Sequence, residues 1–209
     1  MGCSHRFQPE WCKHKPWQYQ QQPIYFTDPI DGEYVGGIYG DANAYSSASH
    51  IGDIYHTPTL PGDLLKCTEV LFLLAEAAER GFTVPETAES YYNQAIEISM
   101  FDWGLTTADY DAYIAQADVA YATAPGDWKQ KIGMQAWIAL YNRGYEGWTT
   151  WRRLDFDGFN PPPGMTFEDI PVRLIYPIEE AQLNGSNRDA ASSAIGGDLA
   201  TTKLFWDVN

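Results

Sequence analysis

Apolar residues recur at three- and four-residue steps through "LLKCTEVLFLLAEAAERG". Leu64, Cys67, Val70, Leu71, Leu74 and Ala78 fall on one face, the spacing of an amphipathic helix that buries one stripe. Asp63 stands where an N-cap belongs, and Gly81 follows Arg80 as a stop signal. Cys67, inside the stripe, is expected to be a small buried hydrophobe. A second run, "VPETAESYYNQAIEISMFDWG", places Pro85 in a first turn and Ala88, Tyr92, Ala95, Ile96 and Met100 on one face. Residues 63–103 are therefore predicted to form two helices joined by a short glycine-containing turn.

Small Ala75 and Ala95 permit these helices to approach closely, with Tyr91 or Tyr92 filling the gap. That is the pattern of a tetratricopeptide-like hairpin, which needs neighbours to bury its outer face. A third helix is predicted over 107–118 and a fourth from Asp127 to about Tyr145. In the fourth, Ile132, Gln135, Ala136, Ala139 and Leu140 keep helical register, and Trp128 and Trp137 are expected in the core. "GWTTWRRLDF" then leads into "NPPPG", where Pro161, Pro162 and Pro163 force an extended loop. Upstream, residues 24–62 show little sustained periodicity and read as a long ordered loop with room for one short strand. The expected fold is mainly α, with long Pro/Gly-rich loops.

The net charge of −15 argues against a nucleic-acid partner, because such a surface repels phosphate backbones. The longest apolar stretch, "VLFLLA", is broken by Glu76 and falls far short of the ~18 residues that span a bilayer. Three cysteines make no disulfide framework in a chain of 209 residues.

Residues 1–23 differ in kind. They carry three basic residues and one acidic, a net of +2, which leaves −17 for the remainder. They contain no apolar signal-peptide core, and Arg6 stands where a myristoylation signal has Ser or Thr. Cys3, His5, Cys12 and His14 offer two thiolates and two imidazoles, but the C-x-H spacing is not that of a familiar zinc finger. The segment reads as a disordered leader, and no metal is expected.

Nucleophile elbows, HExxH, Walker and GxGxxG motifs are absent from the sequence. Sequence-adjacent carboxylates such as Asp109/Asp111, Asp155/Asp157 and Glu179/Glu180 read as caps or solvated faces rather than as a catalytic pair spanning a substrate. Arg152 and Arg153, flanked by Trp148, Trp151 and Asp155 in a chain with 13 basic residues, read as a structural ion-pair and stacking cluster.

Five segments carry a family resemblance: "EVLFLLAEAAERG", "AESYYNQAIEISMFDWG", "QKIGMQAWIALYNRGYEGWTTWRRLDF", "IPVRLIYPIEEAQLNGSN" and "GGDLATTKLFWDVN". Together, over residues 24–209, the chain resembles the carboxy-terminal part of the SusD/RagB-like outer-membrane nutrient-binding proteins of Bacteroidetes, in the branch called SusD-like family 2. The fourth segment looks like a fixed corner in such proteins, carried here by Pro171, Arg173, Tyr176, Pro177, Glu180, Asn184 and Asn187. Read from its residues, Pro177 suits the first turn of a short helix that Asn184-Gly185 ends. Arg173 and Glu180 are expected to partner the charges around Arg152.

The resemblance implies a partial SusD-like fold and non-enzymatic binding of an oligosaccharide or other nutrient, with no cofactor. It also implies a SusC-type TonB-dependent transporter as partner and a surface-exposed position at the outer membrane. Family members are typically more than twice as long and begin with a lipoprotein signal and cysteine, so the chain is expected to be a carboxy-terminal portion. A helical-repeat adaptor and a helical carbohydrate-active enzyme are the alternatives. Sugars present apolar faces ringed by hydroxyls, which Tyr rings stack on while polar neighbours bond the rim. Tyr34, Tyr39 and Tyr45, with Asp41 and Asn43, are the expected ligand contacts, within residues 31–57.

Overall fold

A computed structural model describes residues 26–207 apart from 28, 31 and 33; Cys3, His5, Cys12 and His14 lie outside the described residues. Helix α1 (Cys67–Glu79) starts three residues later than the apolar stripe. Lys66 takes the N-cap position, and Asp63 holds its Nζ at 3.0 Å instead of capping the helix. Leu64 is consequently 93% exposed, and Cys67 is exposed rather than buried. The face that packs inward consists of Thr68, Leu71, Phe72, Ala75 and Glu76.

Helix α2 (Ala88–Asp102) is capped by Thr87, whose hydroxyl accepts from Ser90 N at 3.2 Å, so Pro85 precedes the helix. Ala75 and Ala95 are both fully buried, as close hairpin packing requires. Tyr92 meets Phe72 edge-on at 6.3 Å and donates its hydroxyl to Val119 O at 2.7 Å. Burial, with Tyr113, Tyr121 and Asp118 nearby, pushes this phenol well above its ordinary pKa and keeps it a donor.

Helix α3 (Thr107–Ile114) opens with a capping box between Thr106 and Asp109 and ends four residues before the predicted boundary. Buried Tyr113 links it to the next helix by donating to Gln135 Oε1 at 2.9 Å. The predicted fourth helix is two: α4 (Trp128–Ala139) and α5 (Gly144–Leu154). Asn142 and Gly144 are weak helix formers, and the chain turns at Leu140–Arg143, where Arg143 N donates to Leu140 O at 2.8 Å. Trp128 and Trp137 are half-buried against the core. Asp155, at φ 54°, ends α5 in the left-handed conformation.

Past the proline loop, Trp151 receives Phe159 edge-on at 5.0 Å and Phe167 at 5.9 Å, which pins the extended segment onto α5. The corner then holds two helices: α6 (Glu180–Leu183) ends at Asn184 as expected, but Gly185 starts a further helix, α7 (Gly185–Ala194). Strands β1 (Phe26–Thr27) and β2 (His50–Ile51) pair antiparallel, Phe26 opposite Ile51.

The carboxy-terminal segment returns to this corner. Val172 N and Arg173 N both donate to Ala200 O, at 2.9 and 3.1 Å. Asp198 Oδ1 accepts from Arg173 Nη1 at 2.8 Å and from Tyr176 N at 3.1 Å. Partial burial alone would raise the Asp198 pKa, but the Tyr176 amide and the Arg173 guanidinium outweigh it and hold the carboxyl below its usual range. A depressed folded pKa adds stability above the unfolded value of about 3.9, and that stability is lost as the pH falls through the folded value. The melting-temperature difference between native protein and Asp198→Asn is therefore expected to be full at neutral pH and to shrink as the pH drops below about 4. A difference that is independent of pH contradicts this.

Candidate functional site

The loop of residues 35–49 is closed at its base, where Ser49 N donates to Val35 O at 2.8 Å and Val35 N donates to Ser49 Oγ at 2.9 Å. Its tip is braced from within by Asn43. That side chain accepts from Ile38 N at 2.6 Å and donates to Ile38 O and Asp41 O at 2.9 and 3.0 Å. Asp41 accepts from Ala42 N at 2.8 Å. The backbone of Gly40, at φ +72°, lies so close to the proline loop that a Cβ there would stand 2.6 Å from Pro162 Cβ. Here glycine is required twice over.

Tyr39 extends from this tip 68% exposed, and Tyr45 is 79% exposed. The Tyr45 ring stacks on His50 at 3.6 Å between centroids, and His50 Nε2 bonds Tyr45 O at 2.8 Å, so the tyrosine is held while its outer face stays open. Tyr34 is half-buried near the loop base. The structure thus separates the five expected contacts. Tyr39 and Tyr45 present free ring surface, Asp41 and Asn43 shape the turn between them, and Tyr34 sits further in.

The two adjacent arginines serve different neighbours. The Arg152 guanidinium lies 3.8 Å from the Trp148 ring centre and 5.5 Å from that of Trp206, and donates to Val172 O and Thr149 Oγ1 at 3.1 Å each. Trp148 Nε1 donates to Pro171 O at 2.8 Å, so this pair clasps α5 to the segment after the proline loop. Arg153 points the other way and pairs with Glu76 of α1, which also accepts from Arg80 at 2.8 Å.

Arg173 and Glu180 do not join this cluster, contrary to expectation. Arg173 is taken by Asp198 and stacks 4.9 Å from the Tyr176 ring centre. Glu180 Oε2 accepts from Asn184 Nδ2 at 3.2 Å within its own turn, and Asn184 Oδ1 accepts from Asn187 at 2.6 Å. Arg152 is held instead by its two rings, the Val172 carbonyl and Thr149, while its buried Nε has no hydrogen-bond partner among the described residues.

Sequence reasoning passed over Arg143. It is only 8% exposed, pairs with Glu69 of α1 and with Glu146 at 3.0 Å, and donates to Leu64 O at 3.0 Å. The signal was Glu69 standing in an otherwise apolar helix, since a carboxylate drawn partly out of water there needs a cation.

The chain is thus a mainly helical, tetratricopeptide-like scaffold that carries an exposed, internally braced aromatic loop. A family model described as SusD-like, starch-binding and associating with outer membrane, matches residues 20–177, and the chain belongs to this family. Among solved structures, a Bacteroidetes SusD-like protein is 30% identical, covered over 78% of this chain and 34% of its own, with a TM-score of 0.69. A chitin-binding SusD homologue from Flavobacterium johnsoniae is 26% identical over 91% of this chain and 47% of its own, with a TM-score of 0.72. A SusD homologue from Bacteroides fragilis, at 24% identity and a TM-score of 0.73, shares the fold. The chain spans about a third to a half of the length of these structures. No curated protein matches it. Among the described residues, no helix is long and apolar enough to cross a membrane.

Proposed function

We propose that this chain binds oligosaccharide at the outer-membrane surface and hands it, chemically unchanged, to a SusC-type TonB-dependent transporter. The observation that carries the reading is the loop of residues 35–49. Leaving two large rings in solvent forgoes their hydrophobic burial, and a braced tip that does so is suited to stacking on a ligand. The family description and the chitin-binding relative support a sugar as that ligand. The committed carboxylates support binding without turnover: Asp109, Asp127 and Asp169 cap helices, and Glu69 and Glu76 neutralise arginines. The adaptor reading has less support, because the α1–α2 hairpin spends its inner face on its own core.

Calorimetric titration with maltooligosaccharides and chitooligosaccharides tests this. The Tyr39→Ala/Tyr45→Ala protein is expected to lose at least tenfold in affinity, about 1.4 kcal/mol, with its helical circular dichroism retained because neither ring belongs to the core. A double variant that binds like the native protein contradicts the placement of the site within residues 31–57.

A further inference from the structure

We propose that the cleft between α1, α4 and α5 is a second sugar-binding subsite, which takes a single neutral pyranose ring. The inference rests on the carbohydrate-binding reading above, but on different residues.

The cleft encloses about 270 Å³, just under the ~300–1,000 Å³ of pockets for drug-sized ligands. It suits one ring and not an extended chain. It exists because α4 turns small Ala136 and Ala139 toward α1, which leaves Phe72, Ile132 and Leu140 as an apolar floor. Thr68 from α1 and Thr149 and Thr150 from α5 stand around that floor. Thr68 is 97% buried, and its Oγ1 has no hydrogen-bond partner among the described residues. Buried hydroxyls are rarely left so. Thr149 Oγ1 accepts from Arg152, which leaves its own proton to donate.

The charges at the rim select for neutrality. Lys66 and Arg153 against Glu69 and Glu146 sum to zero among the lining residues. Each is already paired: Lys66 with Asp63 and Asp102, both glutamates with Arg143, and Arg153 with Glu76. An ionic ligand has to displace one of these partners. A polyhydroxylated neutral ring does not, because fixed ion pairs still offer it outward-facing donors and acceptors. Its apolar face meets the floor, and Tyr145, largely exposed at the mouth and set edge-on to Trp148 at 6.4 Å, offers a ring surface beside it.

Methyl-resolved NMR titration with N-acetylglucosamine and with methyl α-glucoside reads this site directly. Saturable shifts are expected at Thr68, Thr150, Ile132 and Leu140. Thr68→Val removes one unpartnered hydroxyl at constant shape, and should weaken monosaccharide binding at least fivefold with an equal or higher melting temperature. Ala139→Leu fills the cleft and should abolish binding; if it fails to fold, Thr68→Val carries the test. Monosaccharide shifts confined to residues 31–57, or native-like binding by the variants, overturns the proposal. If longer oligosaccharides bind while these methyls stay unmoved, the cleft proposal alone fails. If no sugar of any length binds, the carbohydrate reading fails with it.

Discussion

Gly133→Val is expected to lower stability by at least about 3 kcal/mol. Gly133 sits mid-helix in α4, where glycine is about 1 kcal/mol worse than alanine. Something must require it there. A Cβ at that position would stand 2.3 Å from Phe156 Cδ1, and the opposite edge of the same ring lies 2.5 Å from where a Cβ on Gly158 would be. Phe156 is fully buried, so its ring is held between two bare backbones and has nowhere to move. For a chain of this size the loss corresponds to a fall of roughly 6–12 °C in melting temperature. Adding Phe156→Leu, which frees space at the ring edge, should restore part of it. A Gly133→Val protein that melts with the native one contradicts the packing described here.

The second large effect is the difference between two arginines. Arg143→Ala strips the partner from Glu69, leaves Leu64 O without its donor, and removes the tie from α1 to the α4–α5 corner. Breaking a buried pair costs ~3–5 kcal/mol. Because Glu69 and Glu146 retain access to water, a loss of about 2–3 kcal/mol is expected here. Arg153→Ala should cost less, about 1–2 kcal/mol, because Arg153 is itself 34% exposed and Glu76 keeps Arg80. Thermal or urea unfolding of the two variants side by side checks the order. A larger loss for Arg153→Ala than for Arg143→Ala would place the main tie to α1 at the wrong arginine.

The hairpin of α1 and α2 was legible because its apolar stripe and its alanines act locally, within one helix and its partner. The start of α1 was not, because Asp63 and Leu64 have the right types for a cap and a first turn while Asp63 is drawn to Lys66. The same limit hid the break between α4 and α5, since Tyr141 and Tyr145 continue the apolar count across a turn. Helix α7 carries no buried residue, so nothing in its Ala- and Ser-rich sequence has a hydrophobic period to read.

At the candidate site, an exposed position for Tyr39 and Tyr45 followed from their Gly-rich surroundings. The bracing role of Asn43 depends on a fold-back onto Ile38 that no periodicity announces. Arg173 was assigned the wrong neighbours for a related reason. Its carboxylate, Asp198, comes from 25 residues further along, across two short helices that sequence spacing does not position.

Whether this chain binds a neutral oligosaccharide without altering it is decided by calorimetric titration of the native protein, with chromatography of the sugar after overnight incubation. Saturable binding to at least one maltooligosaccharide or chitooligosaccharide, recovered intact, is the expected result. Turnover of the bound sugar, or no binding to either series by a folded protein, would contradict it.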